Sequence, residues 1–84
     1  MPIMTPTAIE IATIYVPRRF DGQLDERKVR DLAESILEDG QKVPIQVRHD
    51  RDRFVLVSGY HRLEACRALG EATINAIVVH AQLH

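Results

Sequence analysis

The chain has 84 residues, of which 45% are hydrophobic, so it can form one small domain but not two. Its formal net charge of −1 argues against bulk electrostatic binding to DNA, and its single cysteine, Cys66, excludes an internal disulfide and a zinc site with several thiolates. No apolar run is long enough to span a membrane and no signal peptide is visible, so a cytoplasmic location without a membrane partner is expected.

The N-terminal residues predict a flexible arm followed by a strand. Residues 1–7 include two prolines among small or polar neighbours, which is typical of a loose arm. From Ala8 to Val16, threonine and isoleucine residues favour an extended strand, which Pro17 ends. Residues 18–23 are predicted to form a loop. The folded domain is expected to occupy residues 8–84.

A helix is predicted over residues 26–39, because apolar residues recur there with the spacing of one helix face. The apolar stripe consists of Val29, Leu32, Ala33, Ile36 and Leu37. Asp25 is the predicted N-cap of this helix, and Gly40 is the predicted residue just beyond its C-terminus.

The second half of the chain predicts a hairpin, a helix and a final strand. Strands are expected at 45–49 and 54–57, joined by a polar turn of four or five residues. A second helix is expected over 60–69, closed by Gly70, and an apolar strand over 74–79. The order β-α-β-β-α-β predicts an α+β domain in which two helices pack on one small mixed sheet.

The junction Ser58-Gly59-Tyr60-His61-Arg62 is the main candidate site, because a strand ends there, a glycine follows and a helix begins. A helix N-terminus presents unpaired N–H groups and the positive end of the helix dipole, which together attract anions. Gly59 would let a phosphate approach the backbone, and Arg62 can add a bidentate guanidinium. A plain β-to-α turn with solvated side chains is the alternative interpretation.

Three blocks of sequence, at residues 32–36, 40–47 and 56–65, resemble the ParB/sulfiredoxin superfamily in their residues, order and spacing. The resemblance is to the N-terminal domain of ParB partitioning proteins, also called the ParB-like nuclease domain, and it runs from about Ile9 to Val79. It implies a ParB/sulfiredoxin-like fold with a nucleotide pocket between the first helix and the glycine loop.

The resemblance implies specific site residues. The implied phosphate-binding residues are Gly59, Tyr60, His61, Arg62, Lys28 and Ser35, and the implied pocket-lining residues are Gln41, Pro44 and Ile45. The ParB loop reads Gly-Glu-Arg-Arg and the sulfiredoxin loop reads Gly-Cys-His-Arg, so Tyr60 departs from both. Because Tyr60 stands where the sulfiredoxin thiol would be, sulfinic acid reduction is not expected. Asp31 stands where sulfiredoxins have a serine, so that phosphate contact is not implied.

The function implied by the resemblance is a stand-alone ParB-like domain that binds CTP, ATP or ADP. Mg²⁺ carried on the phosphates is a further expectation, whereas no cluster of ligands predicts a separate metal site. The domain would act in DNA partitioning or in transcriptional regulation, with DNA or a DNA-bound protein as a partner. For Lys28 and Ser35, and for Gln41 and Pro44, ordinary structural roles stay open.

Three other functions also stay open, and whether the chain is an enzyme is undecided. A DNA-binding module or metal-dependent nuclease would contact phosphates through Arg18, Arg19, Arg48, Arg51 and Arg53. A nucleotide-dependent kinase of small molecules would need a carboxylate base, for which Glu34, Glu38 and Glu64 are candidates. A pure interaction module would have no working pocket. Cys66 is expected to pack in the core rather than act as a nucleophile.

Overall fold

The computed structural model of the chain describes residues 5–80, which form a five-stranded mixed sheet and two α-helices. The strands are β1 (Thr7–Glu10), β2 (Ile14–Tyr15), β3 (Ile45–Asp50), β4 (Arg53–Ser58) and β5 (Thr73–Val78). The helices are α1 (Glu26–Asp39) and α2 (Tyr60–Ala68), and two short 3₁₀ helices cover Ile11–Thr13 and Arg18–Phe20. The predicted α+β class is confirmed, with one strand more than the sequence predicts.

The additional strand arises because the predicted strand at 8–16 is divided by the 3₁₀ helix at 11–13. In one continuous strand, Ile9 and Ile11 would face one side and Ile14 the other, because side chains alternate. The 3₁₀ turn changes this parity, so that Ile9, Ile11 and Ile14 are all at most 7% exposed. Burial of the third isoleucine therefore overrides the extended conformation that the local sequence favours.

Two further boundaries of the sheet differ from the sequence prediction. Thr7, the last residue of the predicted arm, already pairs in β1, whereas residues 1–4 of that arm lie outside the described residues. The hairpin turn has two residues rather than four or five, because Asp50 and Arg53 pair across the strands. The Arg53 guanidinium contacts the Asp50 carboxylate at 3.1 Å, which closes this last rung of the hairpin.

The short connection between β1 and β2 curls the sheet. Its strand order is β1-β5-β3-β4-β2, so β1 and β2 form its two opposite edges. The three residues that connect these edges can span at most about 14 Å, which forces the two edges towards each other. The inside of the curled sheet holds most of the core, formed by Ile9, Ile14, Ile45, Val47, Leu56, Ile74 and Ala76. Ile11, Phe20, Leu63 and Cys66 complete the core from outside the sheet.

Helix α1 has the predicted bounds. The Asp25 carboxylate accepts hydrogen bonds from the backbone N–H of Arg27 at 3.0 Å and of Lys28 at 3.4 Å, which confirms the N-cap. At the other end, the N–H of Gly40 donates to the Ile36 carbonyl at 2.8 Å, and the φ of Gly40 is +78°. Both ends of this helix are therefore fixed by residues that are readable in the sequence.

The apolar stripe of α1 is only partly buried, because this helix packs mainly against α2. Val29, Leu32, Ala33 and Ile36 are half-buried, whereas Leu37 is 75% exposed. The prediction that Leu37 belongs to the buried stripe is wrong. Leu37 lies about 100° around the helix from Ile36, beyond the contact with α2. Neither helix within residues 5–80 is long and apolar enough to cross a membrane.

Candidate functional site

A cleft of about 370 Å³ lies where the end of β4, the start of α2, one face of α1 and the 3₁₀ helix at 18–20 meet. Its wall residues are Arg19, Phe20, Gln23, Leu32, Val57, Ser58, Gly59, Tyr60, His61 and Arg62. The four residues of the predicted phosphate loop are all among them. The wall contains two guanidinium groups and an imidazole but no carboxylate, so its charge favours an anion.

Gly59 is required at the turn between β4 and α2 for two independent reasons. Its φ of +99° is left-handed, a conformation that costs a residue with a Cβ about 1–2 kcal/mol. A Cβ at this position would also lie 2.6 Å from Cγ2 and 2.9 Å from Cβ of the buried Ile45. The glycine thus allows the loop to pack directly on β3, whereas the sequence suggests that it only clears a path for phosphate.

The start of α2 is open, in contrast to the start of α1. No side chain caps α2, and its first helical hydrogen bond runs from the N–H of Leu63 to the carbonyl of Gly59 at 2.9 Å. The N–H groups of Tyr60, His61 and Arg62 precede that bond and have no acceptor within the helix. Because these three residues line the cleft, the positive end of the α2 dipole is directed at it.

Arg19 supplies a second guanidinium beside the loop. Its Nη2 donates a hydrogen bond to the Val57 carbonyl at 2.6 Å, and its guanidinium carbon lies 4.1 Å from the centroid of the Phe20 ring. β2 pairs only with Phe54 and Val55 of β4. Beyond the end of β2, the Arg19 side chain takes its place and bonds to the Val57 carbonyl of β4. A guanidinium has five N–H donors, so this anchored side chain retains donors for a ligand.

Tyr60 contributes an aromatic wall to the cleft. Its ring lies 5.3 Å from that of Phe20, measured between centroids, at an angle of 43°. Phe20 is 7% exposed and belongs to the core, against which Tyr60 also packs. The residue that replaces the sulfiredoxin thiol is therefore held in place by apolar packing.

His61 joins the two helices that border the cleft. Its Nε2 accepts a hydrogen bond from the backbone N–H of Asp25 at 3.0 Å. Asp25 is the N-cap of α1 and His61 lies in the first turn of α2, so this bond connects the starts of both helices. His61 therefore has a structural role in addition to its place in the cleft wall.

Lys28 and Ser35 lie outside the cleft wall, and both are exposed. Leu32 is the residue of α1 that lines the cleft. Lys28 precedes Leu32 by four residues and Ser35 follows it by three, so all three share one face of the helix. The two predicted contacts therefore lie on the face of α1 that carries Leu32, outside the cleft wall.

Gln41, Pro44 and Ile45 do not line this cleft. Gln41 pairs with the backbone of Asn75, donating to its carbonyl at 2.9 Å and accepting from its N–H at 2.8 Å. Gln41 also lines a second cavity of about 210 Å³ between α1, α2 and β5. Ile45 lies behind the glycine loop and supports it from the sheet. In the structure, Gln41 and Ile45 thus make structural contacts near the site.

Carboxylates that could act as a base or hold a metal are not gathered at the cleft. Glu34 and Glu38 are exposed on α1, and the Glu64 carboxylate pairs with the Arg67 guanidinium at 2.7 Å. None of the three belongs to the cleft wall. Among residues 5–80, no group of three or more His, Cys, Asp or Glu residues could hold a metal ion.

The arginines considered for DNA contact are placed differently from one another. Arg19 belongs to the cleft, and Arg53 is paired with Asp50 and lies 4.2 Å over the Tyr15 ring. Arg48 is half-buried, and the two other arginines, Arg18 and Arg51, are exposed. Two of the five are thus engaged by other side chains or by backbone.

Cys66 is buried in α2 with 2% exposure, as the sequence predicts for a core thiol. Burial raises the pKa of this thiol above its ordinary value, and the negative charge of Glu71 adds to the increase, whereas Arg62 acts in the opposite direction. A buried thiol with a raised pKa is a poor nucleophile. Cys66 therefore contributes packing rather than chemistry.

The profile of the ParB N-terminal domain family matches residues 4–83, which is nearly the whole chain. The chain belongs to this family. The chain is 41% identical over 54 residues to the chromosome-partitioning protein ParB of Myxococcus xanthus. It is 37% identical over 76 residues to a probable chromosome-partitioning protein ParB of Campylobacter jejuni. These matches cover 64% and 86% of this chain but only 18% and 26% of the two relatives, so the chain spans about a quarter of their length or less.

Solved structures share this fold. Sulfiredoxin from Arabidopsis thaliana superposes with a TM-score of 0.81 at 30% identity, over 95% of this chain and 88% of that one. A truncated ParB from Caulobacter crescentus in complex with CTP-γ-S gives 0.80 at 24% identity, over 93% and 46%. A free serine kinase in complex with ADP gives 0.77 at 18% identity, over 94% and 32%.

Three wall residues of this ParB N-terminal domain, Arg19, Phe20 and Gln23, are not among the pocket residues predicted from the sequence, which names Arg19 only as a candidate contact to DNA. They lie far from the glycine loop along the chain and reach it only through the tertiary fold. One local signal exists, because Phe20 is a lone aromatic residue in a segment of polar residues, and such a residue commonly anchors a loop to the core. Nothing in the sequence indicates the contact of Arg19 with β4.

Proposed function

We propose that this ParB N-terminal domain binds a nucleoside triphosphate or diphosphate, with the phosphates at the start of α2. The observation that carries the proposal is the cleft itself, in which free helix N–H groups and the guanidiniums of Arg19 and Arg62 converge without a carboxylate in the wall. Helix N-termini and guanidiniums are the groups that proteins use most to hold phosphate oxygens.

In this proposal each group has a distinct role. The N–H groups of residues 60–62 donate to one phosphate, and Arg62 neutralises a second charge with paired N–H donors. Arg19 does the same from its position beside the end of β4, and Lys28 reaches over the cleft from α1. Mg²⁺, if bound, would be held by the phosphates with water completing its shell, since the wall offers no carboxylate. Tyr60 and Phe20 give the cleft an apolar side.

CTP is the first nucleotide to test. The truncated Caulobacter crescentus ParB, which has the same fold, was solved in complex with CTP-γ-S, and the free serine kinase in complex with ADP. ATP, ADP and GTP are the comparison ligands. The DNA-partitioning role of the ParB relatives supports a cytoplasmic domain whose nucleotide state controls an interaction with DNA or with a DNA-bound protein. Transcriptional regulation would use the same switch.

Arg62→Gln is the variant that tests the site most directly. It removes the guanidinium that donates hydrogen bonds to the phosphates in this proposal. Hydrogen bonds to charged groups contribute about 1.5–3 kcal/mol, so we expect about 10- to 100-fold weaker nucleotide binding. Isothermal titration calorimetry with each nucleotide, with and without Mg²⁺, measures this. Arg67→Gln is the matched control, because Arg67 lies on the same helix but pairs with Glu64 outside the cleft.

We expect the Arg67→Gln variant to bind nucleotide within about twofold of the unmodified protein, since exposed ion pairs contribute little. Absence of binding by all four nucleotides at millimolar concentration would overturn the proposal. Equal weakening by Arg62→Gln and Arg67→Gln would also contradict it, because it would indicate attraction by overall charge instead of a defined site.

A kinase or nuclease function is not proposed. Phosphoryl transfer to a hydroxyl needs a general base, and a nuclease needs metal ligands. The cleft wall has no carboxylate, and residues 5–80 contain no metal-ligand cluster. The free serine kinase is 18% identical and shares the fold alone.

A further inference from the structure

The hydrogen bond between Asp25 and His61 has chemical consequences for the cleft. The backbone N–H of Asp25 is the donor and Nε2 of His61 is the acceptor, at 3.0 Å. A backbone N–H can only donate a hydrogen bond, so the ring nitrogen that faces it must accept with its lone pair and carry no proton. In a neutral imidazole, one nitrogen is a donor and the other an acceptor, so the proton must lie on Nδ1.

This tautomer is unusual for a solvated histidine, which prefers the proton on Nε2. Here the amide of Asp25 selects the other form, just as a hydrogen bond to one ring nitrogen commonly fixes the state of the other. Since Nε2 is already engaged and His61 lines the cleft, the N–H that the ring can offer a ligand is that of Nδ1.

Asp25 also holds the first turn of α1. Its carboxylate accepts from the N–H of Arg27 at 3.0 Å and of Lys28 at 3.4 Å. One residue therefore connects the imidazole of His61 to the turn that carries Lys28. The two sides of the cleft are joined through Asp25, although His61 and Asp25 are 36 residues apart in the chain.

We propose that His61 is a positioning residue with two coupled roles. The Asp25 amide fixes its ring as the Nδ1–H tautomer, and Nδ1–H then donates to an anionic phosphate oxygen in the cleft. Through Nε2 the same ring holds the start of α1, and with it the backbone of Lys28, in register with the phosphate loop. The donor role rests on the proposed nucleotide binding, whereas the tautomer and the connection to α1 do not.

The tautomer is tested on the free protein. Two-dimensional ¹⁵N–¹H NMR of histidine-labelled protein at about pH 8 reports which ring nitrogen of His61 carries the proton. We expect a protonated Nδ1 and an unprotonated Nε2. A protonated Nε2 would overturn the proposal. His80, an exposed residue in the same spectrum, is the internal reference for the solvated tautomer.

Two substitutions separate the two roles. His61→Gln can place an acceptor oxygen near the position of Nε2, and His61→Asn can place an N–H donor near that of Nδ1. Hydrogen exchange of the Asp25 amide distinguishes the two variants. We expect its protection factor to be unchanged in His61→Gln and to fall about fivefold or more in His61→Asn, which corresponds to the loss of one ordinary hydrogen bond. Equal protection in both variants would overturn the connection to α1.

Nucleotide titration completes the test. We expect His61→Gln, which keeps the connection but lacks the Nδ1 donor, to bind the preferred nucleotide at least about fivefold more weakly than the unmodified protein. Unchanged affinity in His61→Gln would overturn the donor role. A third outcome separates this inference from the proposed function. If no nucleotide binds the unmodified protein, but NMR shows a protonated Nδ1 and hydrogen exchange differs between the variants as expected, the proposed function is wrong. The tautomer of His61 and its hydrogen bond to the start of α1 are then still correct.

Discussion

At the residue scale, the glycine loop at residues 58–62 depends on a contact that lies behind it. Gly59 touches Ile45 of β3 so closely that a methyl group would be 2.6 Å from Cγ2 of that residue. The same residue has a left-handed φ. The position of the N–H groups of α2 is therefore set by the packing of backbone on the sheet, and a change on the core side of the loop will alter the cleft.

We expect Gly59→Ala to destabilise the fold by about 2–4 kcal/mol. The left-handed φ contributes about 1–2 kcal/mol and the overlap with Ile45 about 1–3 kcal/mol, partly relieved by movement of the loop. Urea denaturation followed by circular dichroism measures the loss. Gly70→Ala is the matched control, since Gly70 has a φ of +75° but no atom within 4 Å of an added Cβ.

Gly70→Ala should therefore show only the conformational part of the loss, about 1–2 kcal/mol. Equal losses in the two variants would mean that the contact with Ile45 relaxes freely. The close packing of the glycine loop on β3 would then need revision.

Cys66 makes a pH-dependent contribution to stability. Its pKa is raised in the folded protein, mainly by burial and then by Glu71, so the folded state holds the thiol proton more tightly than the unfolded chain does. This stabilisation is fully present below the unfolded thiol pKa of about 8.5 and is lost as the pH rises through the folded value. The free energy of unfolding should thus decrease more steeply above about pH 8.5 in the unmodified protein than in Cys66→Ala.

The comparison with Cys66→Ala removes every pH effect that the two proteins share and leaves the contribution of the thiol. Unfolding in urea at several pH values from about 7 to 10 gives the two curves. Parallel curves would show that the thiol has the same pKa in the folded and unfolded states.

At the element scale, the loop between α1 and β3 is held by the Gln41 side chain, which forms the pair of backbone hydrogen bonds that a neighbouring strand would form with β5. Gln41 both donates to and accepts from the backbone of Asn75, and it also donates to the Val43 carbonyl at 3.0 Å. This contact attaches the end of α1 to β5. The family block that contains Gln41 is thus important for the placement of α1, the helix that borders the cleft opposite the loop.

Gln41→Ala should destabilise the protein by about 1–3 kcal/mol, because it removes both partners of the Asn75 backbone groups. Gln41→Glu should be intermediate, since a carboxylate can accept from the Asn75 N–H but cannot donate to its carbonyl. Thermal denaturation ranks the variants. Lys42→Ala, at an exposed neighbouring position, is the control and should have an effect within about 0.5 kcal/mol.

Elements with their own local signals could be predicted from the sequence. The bounds of α1 follow from Asp25 and Gly40, and the glycine loop follows from the change of strand to helix. The break between β1 and β2 could not be predicted from propensity, because it results from the burial of Ile14 in the core. One sign of it is visible, since the spacing from Ile11 to Ile14 does not fit the alternation of a strand.

In the candidate site, too, residues with a local sequence signal could be predicted and residues placed by tertiary packing could not. The loop residues that line the cleft could be predicted, because they are contiguous and a helix N-terminus has known chemistry. Arg19 and Phe20 could not, because their approach to the loop is set by long-range packing. Gln41 and Ile45 were expected to line the pocket, and the structure places them in contacts that support it from outside.

At the scale of the whole molecule, stability rests on a thin core. A domain of this length has a free energy of unfolding of about 4–13 kcal/mol. Each fully buried side chain therefore accounts for a large part of the total. Leu63 is 0% exposed and lies near the centre of α2, where it supports the helix that follows the glycine loop.

Leu63→Ala should lower the free energy of unfolding by about 2–5 kcal/mol, as is usual when a buried leucine is truncated. Leu37→Ala makes the same chemical change at a site that is 75% exposed and should alter stability by about 0.5 kcal/mol or less. Urea denaturation of both variants measures the difference. Similar losses at the two sites would indicate that α1 packs differently from the arrangement described here.

The curled sheet also has a consequence for the order of folding events. Thr7 to Glu10 pair with Thr73 to Ala76, so among the five strands of residues 5–80 the first to be synthesised has its hydrogen-bonding partner in the last. During synthesis on the ribosome, β1 lacks this partner while the more than 60 residues between β1 and β5 are added. Because such distant contacts form slowly, the nascent domain should be sensitive to proteases until β5 emerges, and the cleft should form only after all five strands have paired.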